Sequence, residues 1–156
     1  MLLTQRAGIK AVRSLAYLLA ESMDLAHHRP DAGVRAARGE LVGLLTPVTN
    51  GWGTDLGVEL TSLALRVHAC AGYIGETGVA QHFRDVRITP IYEGTNGIQA
   101  IDLVTRKLRL RGGDIVSEFL AEVAEIEFLL AAGSPAFASI RADLASGLAA
   151  LPTATT

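Results

Sequence analysis

The residues best suited to chemistry form the segment Tyr92-Glu93-Gly94-Thr95-Asn96-Gly97. Thr95 is a typical helix N-cap, so the carboxylate of Glu93 is expected just outside the start of a helix, where the helix dipole favours its ionised form. A carboxylate in such a position can act as a base toward a weakly acidic C–H proton. The first-turn amides of Thr95, Asn96 and Gly97 suit a phosphate or another anionic group of a cofactor. From these residues alone, a helix-entry turn with an incidental acid is the simpler interpretation.

Other kinds of chemical site are poorly supported. His68 and His82 are too far apart for a helical pair of metal ligands, and with the single Cys70 we expect no zinc site. The glycines of residues 72–78 are spaced GxxGxxG, not the GxGxxG of a dinucleotide-binding loop. The cations of residues 106–111 are typical of a helix C-terminus. A net charge of -2 gives no indication of nucleic-acid binding.

Helical periodicity dominates the sequence, so we expect helices to position these residues. A first helix is predicted from near Leu3 to about His27, and a second from near Val34, with a kink or short break at Pro47. The clearest apolar stripe follows Gly53 at helical spacing. Its members are Leu56, Leu60, Leu63, Ala64, Val67 and Ala71.

The remaining sequence predicts more helices. One begins after Thr95 and ends at the glycine pair 112–113, another begins at Asp114, and a last one covers about 136–148. We therefore predict an all-α fold, an antiparallel four-helix bundle with additional C-terminal helices. The predicted boundaries are 1–111 for the bundle, 112–150 for the extra segment and 151–156 for a disordered tail.

The composition is strongly apolar, which raises the question of whether some surfaces of the chain are covered in a larger protein. Hydrophobic residues make up 49% and charged residues only 19%, and the mean hydropathy is +0.32. No membrane span is expected, because the most apolar window, residues 1–20, carries Arg6, Lys10 and Arg13 on one helical face. We instead expect faces that are covered by other domains or by further copies of the chain. The single cysteine fits a reducing compartment, and we predict a cytoplasmic location.

The segment from Arg84 to Gln99 resembles the second signature of the acyl-CoA dehydrogenase family, through the pattern R-D-x-R-I-x-x-I-Y-E-G-T-x-x-I-Q. Residues 67–78 are similar to the glycine-rich stretch that precedes this signature. The Ile-x-Glu-Thr-Gly of residues 74–78 resembles one branch with an additional C-terminal helical segment, which includes the methylmercaptopropionyl-CoA dehydrogenase-like enzymes. The resemblance covers roughly residues 1–107, the C-terminal four-helix domain of the family.

The resemblance implies an FAD-dependent oxidoreductase that desaturates an acyl-CoA thioester between Cα and Cβ. Glu93 matches the glutamate that takes the α-proton while the flavin accepts a hydride from the β-carbon. The backbone amide of this glutamate polarises the thioester carbonyl and so stabilises the developing enolate. Gly94 matches a residue beside the thioester, and Thr95, Asn96 and Gly97 match positions that touch FAD. The resemblance leaves the acyl-chain length and the electron acceptor open.

A second set of residues matches the segment that reaches the ADP half of FAD bound to a neighbouring subunit, which implies a homo-oligomer, a dimer or tetramer. These residues are Arg66, Val67, His68, Ala69 and Cys70. The family commonly has Gly-Gly in place of Ala69-Cys70 and often Gln in place of Arg66. Ala and Cys are small enough to leave room for the cofactor, and Arg66 could pair with a phosphate.

The resemblance also implies an N-terminal helical domain and a middle β domain that this sequence does not include. We therefore expect the isolated chain to bind FAD weakly or not at all and to be inactive. The alternative is a non-catalytic helical domain for oligomerisation or interaction. The Ala69-Cys70 departure favours this alternative, whereas the intact Tyr92-Glu93-Gly94-Thr95 favours the enzyme.

Overall fold

The computed structural model describes the backbone of residues 1–155 and the side chains of residues 1–151. All secondary structure in this part of the chain is helical, which confirms the all-α prediction. The chain forms two compact units, Met1–Lys107 and Leu108–Thr156. The division falls slightly before the boundary at residue 111 that the sequence predicts.

The first unit is built on two long helices. Helix α1 is Leu2–His28 and helix α2 is Ala32–Val67. The Asp31 carboxylate caps α2 by accepting a hydrogen bond from Val34 N at 3.0 Å. The two helices are antiparallel, since Gln5 Nε2 near the start of α1 donates to Leu60 O near the end of α2 at 3.0 Å.

The core of this unit lies between the helices and is mainly leucine. Its buried apolar side chains on α2 are Leu41, Leu44, Leu45 and Leu60. On α1 the inward face includes the fully buried Ser22. Gly8 lets the helices approach closely, because a Cβ there would lie 2.9 Å from a methyl group of Leu60.

Helix α2 is one continuous helix of 36 residues that contains Pro47. Of the predicted kink or short break at Pro47, the break is therefore wrong. Proline removes one backbone donor and disfavours helix in isolation. Here Pro47 and its neighbours Leu44 and Leu45 are buried, so the burial of this face outweighs the local penalty.

After α2 ends, the chain turns and the next short helices pack back on α2. The predicted apolar stripe runs through Ala71, but α2 ends at Val67 because Ala69 adopts φ 51° and ψ -133°. The short helix α3, Cys70–Tyr73, follows, then a 3₁₀ turn at Gly75–Thr77 and helix α4 at Val79–Val86. Gly72 is buried against Leu65, whose Cα would lie 2.9 Å from a Cβ at residue 72.

The first unit ends with helix α5, Asn96–Asp102, which continues into a π-helical turn at Leu103–Lys107. Asp102 pairs with Arg106 and lies 4.0 Å from the Lys107 ammonium group. Both α4 and α5 pack on α2.

The second unit contains a 3₁₀ turn at Leu110–Gly113, helix α6 at Asp114–Ala131, a 3₁₀ turn at Pro135–Phe137 and helix α7 at Ala138–Thr155. Helices α6 and α7 contact each other, and Arg141 Nε lies 3.5 Å from Glu127 Oε1. Residues 151–155 of the expected disordered tail are the last residues of α7, and Thr156 lies outside the described residues.

Many large apolar side chains of the first unit are exposed. On α1, Leu3 is 81% exposed. Along α5 and its π-helical turn, Ile98, Ile101 and Val104 form a stripe exposed by 56–59%. Despite this apolar character, none of the helices in the described part of the chain is long and apolar enough to cross a membrane.

Gly72→Ala should destabilise the chain strongly, because the added Cβ would overlap the backbone of Leu65. We expect a loss of about 3 kcal/mol in the free energy of unfolding, measured by urea denaturation followed by circular dichroism. Gly75→Ala is the matched control, since a Cβ there meets nothing within 4 Å. A loss at Gly72 no larger than at Gly75 would contradict the packing of this turn.

Ala69→Gly should stabilise the chain. A positive φ with ψ -133° is a conformation that costs a side-chain-bearing residue about 1–3 kcal/mol, and glycine adopts it without that penalty. After the greater entropy of glycine in the unfolded chain is subtracted, we expect a gain of about 1 kcal/mol in the same denaturation assay. Ala71→Gly, in helix α3, should instead reduce stability, and an equal loss at both positions would refute a strained Ala69.

Candidate active site

Glu93 lies at the tip of a short loop that comes before α5. Asn96 N donates to Pro90 O at 3.1 Å and closes the loop around residues 91–95. Before it, Tyr92 N donates to Ile88 O at 3.1 Å, so the chain enters the loop through a hydrogen-bonded turn. The loop therefore presents the exposed Glu93 side chain from a backbone held at both ends.

Two successive residues at the tip have left-handed backbone. Glu93 has φ 53° and Gly94 has φ 88°. A second contact holds Gly94, whose carbonyl accepts a hydrogen bond from Gln99 Nε2 at 3.4 Å. A Cβ at residue 94 would lie 3.1 Å from that same nitrogen, so the position favours glycine through both φ and space.

Thr95 is the N-cap of α5, as the sequence predicts. Its hydroxyl accepts a hydrogen bond from Ile98 N at 3.5 Å, and its carbonyl accepts one from Gln99 N at 3.0 Å. Thr95 and Gly97 are both exposed. These two residues can therefore be reached by a ligand that lies against the start of α5.

The side chain of Asn96 is directed at α2. Its Nδ2 donates to Gly51 O at 3.1 Å and to Asp55 Oδ1 at 2.8 Å. The backbone amide of Asn96 is engaged by Pro90 O, so it is not available to an anion. This differs from the expectation of a row of exposed amides at residues 95–97, because the fold uses the middle one to close the loop.

The second predicted set, Arg66 to Cys70, lies where α2 ends. Val67 is half-buried, and the other four side chains are exposed. The C-terminal end of a helix carries the negative end of its dipole and repels a phosphate. Arg66, in the last turn of α2, supplies a positive charge that offsets this repulsion.

The fold does not bring the two sets together. The loop before α5 is attached to α2 at Gly51 and Asp55, whereas the other set begins at Arg66. At 1.5 Å per residue of helix, Asp55 and Arg66 are separated by roughly 16 Å along α2. The two sets are thus separate surfaces on one helix.

Asp55 and Gln99 are site residues that the sequence reasoning missed. Both line a shallow cavity of about 290 Å³ between α2 and α5, together with Trp52, Asn96 and Leu103. Gln99 is the last residue of the signature pattern, so the sequence does contain a signal for it. Asp55 is 41 residues away from Asn96 in sequence, and no local pattern links the two.

Among the described side chains, no group of three or more His, Cys, Asp or Glu residues lies close enough together to hold a metal ion. The glycine-rich residues 72–78 cover the end of helix α3, where Gly72 is buried, and the 3₁₀ turn at Gly75–Thr77.

Comparison with known proteins identifies the family. Residues 1–108 match the sequence profile described as "Acyl-CoA dehydrogenase, C-terminal domain". The chain is 41% identical over 150 residues to a 3-methylmercaptopropionyl-CoA dehydrogenase of Ruegeria pomeroyi, with 96% of this chain and 25% of the relative covered. It is 31% identical over 138 residues to a butyryl-CoA dehydrogenase of Syntrophomonas wolfei, with 88% and 22% covered.

The chain thus spans about a quarter of the length of these relatives. The matched region, residues 1–108, ends next to Lys107, where the first compact unit also ends. The profile match, the relatives and the all-helical fold lead to the same conclusion: the chain belongs to the acyl-CoA dehydrogenase family, of which its first unit is the C-terminal domain.

Proposed function

We propose that this chain supplies the catalytic base of an FAD-dependent acyl-CoA dehydrogenase, an oxidoreductase that introduces a Cα–Cβ double bond into an acyl-CoA thioester. The base is Glu93. The observation that carries the proposal is the exposed carboxylate at the tip of a loop held by the Asn96–Pro90 hydrogen bond. A base must reach the proton it removes, and its backbone must be fixed for the transfer to be efficient.

The backbone of the same loop supports this role. The hydrogen bonds that shape the loop are donated by the N–H groups of Ile91, Tyr92 and Asn96. The N–H of Glu93 is not among them, which leaves it for the thioester carbonyl. A donor aimed at that oxygen stabilises the enolate that forms as the α-proton moves to Glu93. Gly94, with no side chain, lets the thioester approach.

The cofactor proposed is FAD, which accepts the hydride from Cβ when it is bound. Thr95 and Gly97 fit a role in holding it, because both are exposed beside the start of α5. The side chain of Asn96 fits less well, because its amide group already contacts α2. Arg66 to Cys70 would contact the ADP half of FAD in a neighbouring subunit.

The conformation of Ala69 supports this second contact. Where the family commonly has glycine, the chain keeps a left-handed backbone despite the cost to alanine. This favours the enzyme over the alternative of a non-catalytic oligomerisation domain. The homo-oligomer and a cytoplasmic location belong to the same proposal, and exposed apolar side chains such as Leu3 and Ile101 support burial in a larger assembly.

Glu93→Gln should abolish exchange of the substrate α-proton with deuterated solvent, because an amide cannot accept the proton. The test uses a chimeric enzyme in which this chain replaces the matching quarter of the Ruegeria pomeroyi relative. Exchange is measured by mass spectrometry of the recovered acyl-CoA, and we expect a loss of at least about 10³-fold. The variant should stay yellow with bound flavin.

Glu122→Gln is the matched control, since Glu122 is an exposed carboxylate on α6. It should keep both the flavin and the exchange rate of the parent chimera. If Glu93→Gln exchanges the α-proton at the parental rate, Glu93 is not the base, and the non-catalytic alternative is favoured.

The isolated 156-residue chain should bind FAD weakly or not at all. Its two predicted FAD-contacting sets are exposed surfaces that lie apart along α2, so neither can enclose the cofactor by itself. In a titration followed by flavin fluorescence, we expect no saturation at micromolar chain concentrations. A stoichiometric micromolar complex would contradict this prediction, and the same titration with the chimeric enzyme is the positive control.

A further inference from the structure

We propose that Asn96 is a positioning residue that places Glu93 by fixing the start of α5 to α2. The inference rests on the proposed function, in which Glu93 is the base. It differs from the role that the family resemblance suggests for Asn96, a contact with FAD. The side chain that would make such a contact is used inside the chain.

The amide group of Asn96 can be oriented in one way. Its two acceptor neighbours, Gly51 O at 3.1 Å and Asp55 Oδ1 at 2.8 Å, both need a donor. Only the NH₂ end of the amide can serve them, and together they use both of its hydrogens. The carbonyl end then faces Thr54 Oγ1 at 3.1 Å, although that hydroxyl has a closer acceptor in Asn50 O at 2.7 Å.

The bond to Asp55 is the strongest of these contacts. A hydrogen bond to an ionised carboxylate is shorter than a neutral one and roughly twice as strong. Asp55 lies one helical turn beyond Gly51, so the amide bridges two points on the same face of α2. The Asn96 side chain therefore fixes both the position and the direction of the first turn of α5.

Asn96 can affect the position of Glu93 because the backbone between them is short and held by hydrogen bonds. The backbone of Asn96 closes the loop through Pro90 O, and Gln99 holds the carbonyl of Gly94. Both contacts depend on where α5 begins. If the Asn96 side chain is removed, the start of α5 keeps its apolar packing on α2 but loses the hydrogen bonds that set its orientation.

The first test is amide hydrogen exchange of the 156-residue chain, followed by NMR. The reporters are the amide of residue 96, bonded to Pro90 O, and that of Gln99, bonded to Thr95 O. Asp55→Ala should speed exchange at both amides about tenfold, as expected for loss of a charge-assisted hydrogen bond. Asn96→Ala, which also removes the bond to Gly51 O, should speed exchange at least as much. The double variant should exchange no faster than Asn96→Ala, because Asn96→Ala already removes the bond that Asp55→Ala removes.

Two further variants complete this test. Gln81→Ala removes an amide side chain that is hydrogen-bonded within α4, and it should leave both reporters unchanged. Asp55→Asn keeps an oxygen acceptor but loses the charge, so exchange should be about threefold faster than in the parent chain, between the parent and Asp55→Ala. Multiplicative effects in the double variant, or no effect of Asp55→Ala, would overturn the inference. Asp55 is exposed, so its variants should fold even if Asn96→Ala does not.

The second test separates positioning from cofactor contact in the chimeric enzyme. Asn96→Ala and Asp55→Ala should each slow α-proton exchange per bound FAD about tenfold, with the Kd for FAD changed less than twofold. A weaker Kd for FAD in Asn96→Ala but not in Asp55→Ala would show that Asn96 holds the cofactor directly and would overturn the inference. A parental exchange rate per bound FAD in both variants would overturn it as well.

The two proposals fail in different ways. If Glu93 is not the base, Glu93→Gln retains exchange whatever the Asn96 and Asp55 variants do. If Glu93 is the base and Asn96 does not position it, Glu93→Gln is inactive while Asp55→Ala exchanges at the parental rate.

Discussion

The first unit depends on the close approach of its other helices to α2. The neighbouring elements cross this helix at glycines, where a Cβ would press on a side chain or a backbone atom. Gly8 of α1 lies against Leu60, Gly57 of α2 lies against Val86 of α4, and the turn at Gly72 lies against Leu65. Such contacts bring the helices near enough for dense packing.

The same helix determines where the candidate base can be. Gly51 marks the crossing of α2 and α5, since a Cβ there would lie 4.0 Å from Gln99 Cβ. Beside this crossing, the Asn96 amide binds the carbonyl of Gly51 and the carboxylate of Asp55. A carboxylate on a surface loop is thereby tied to the longest rigid element of the unit. Catalytic groups need this support, because small displacements of a base carry large costs in rate.

The apolar composition is explained by what the fold leaves uncovered. The leucines between α1 and α2 account for part of the apolar content, but Leu3, Tyr73 and Ile101 remain more than half exposed. In the larger assembly proposed above, these exposed side chains would be covered. Burial of these side chains in a larger assembly would stabilise it by roughly 25 cal/mol per Å².

The sequence by itself determined the helical class, the approximate ends of α1, the N-cap at Thr95 and the family, because each depends on short-range periodicity, on a capping residue or on a contiguous signature. It did not determine the continuity of α2 through Pro47, where burial of a long apolar face outweighs a local penalty. The early end of α2 likewise follows from the backbone of Ala69 and the packing of Gly72 on Leu65, and neither shows in the periodicity. Only the tertiary structure placed Asp55 against Asn96 and separated Arg66 from the Glu93 loop, since contacts between residues 41 positions apart depend on how helices cross.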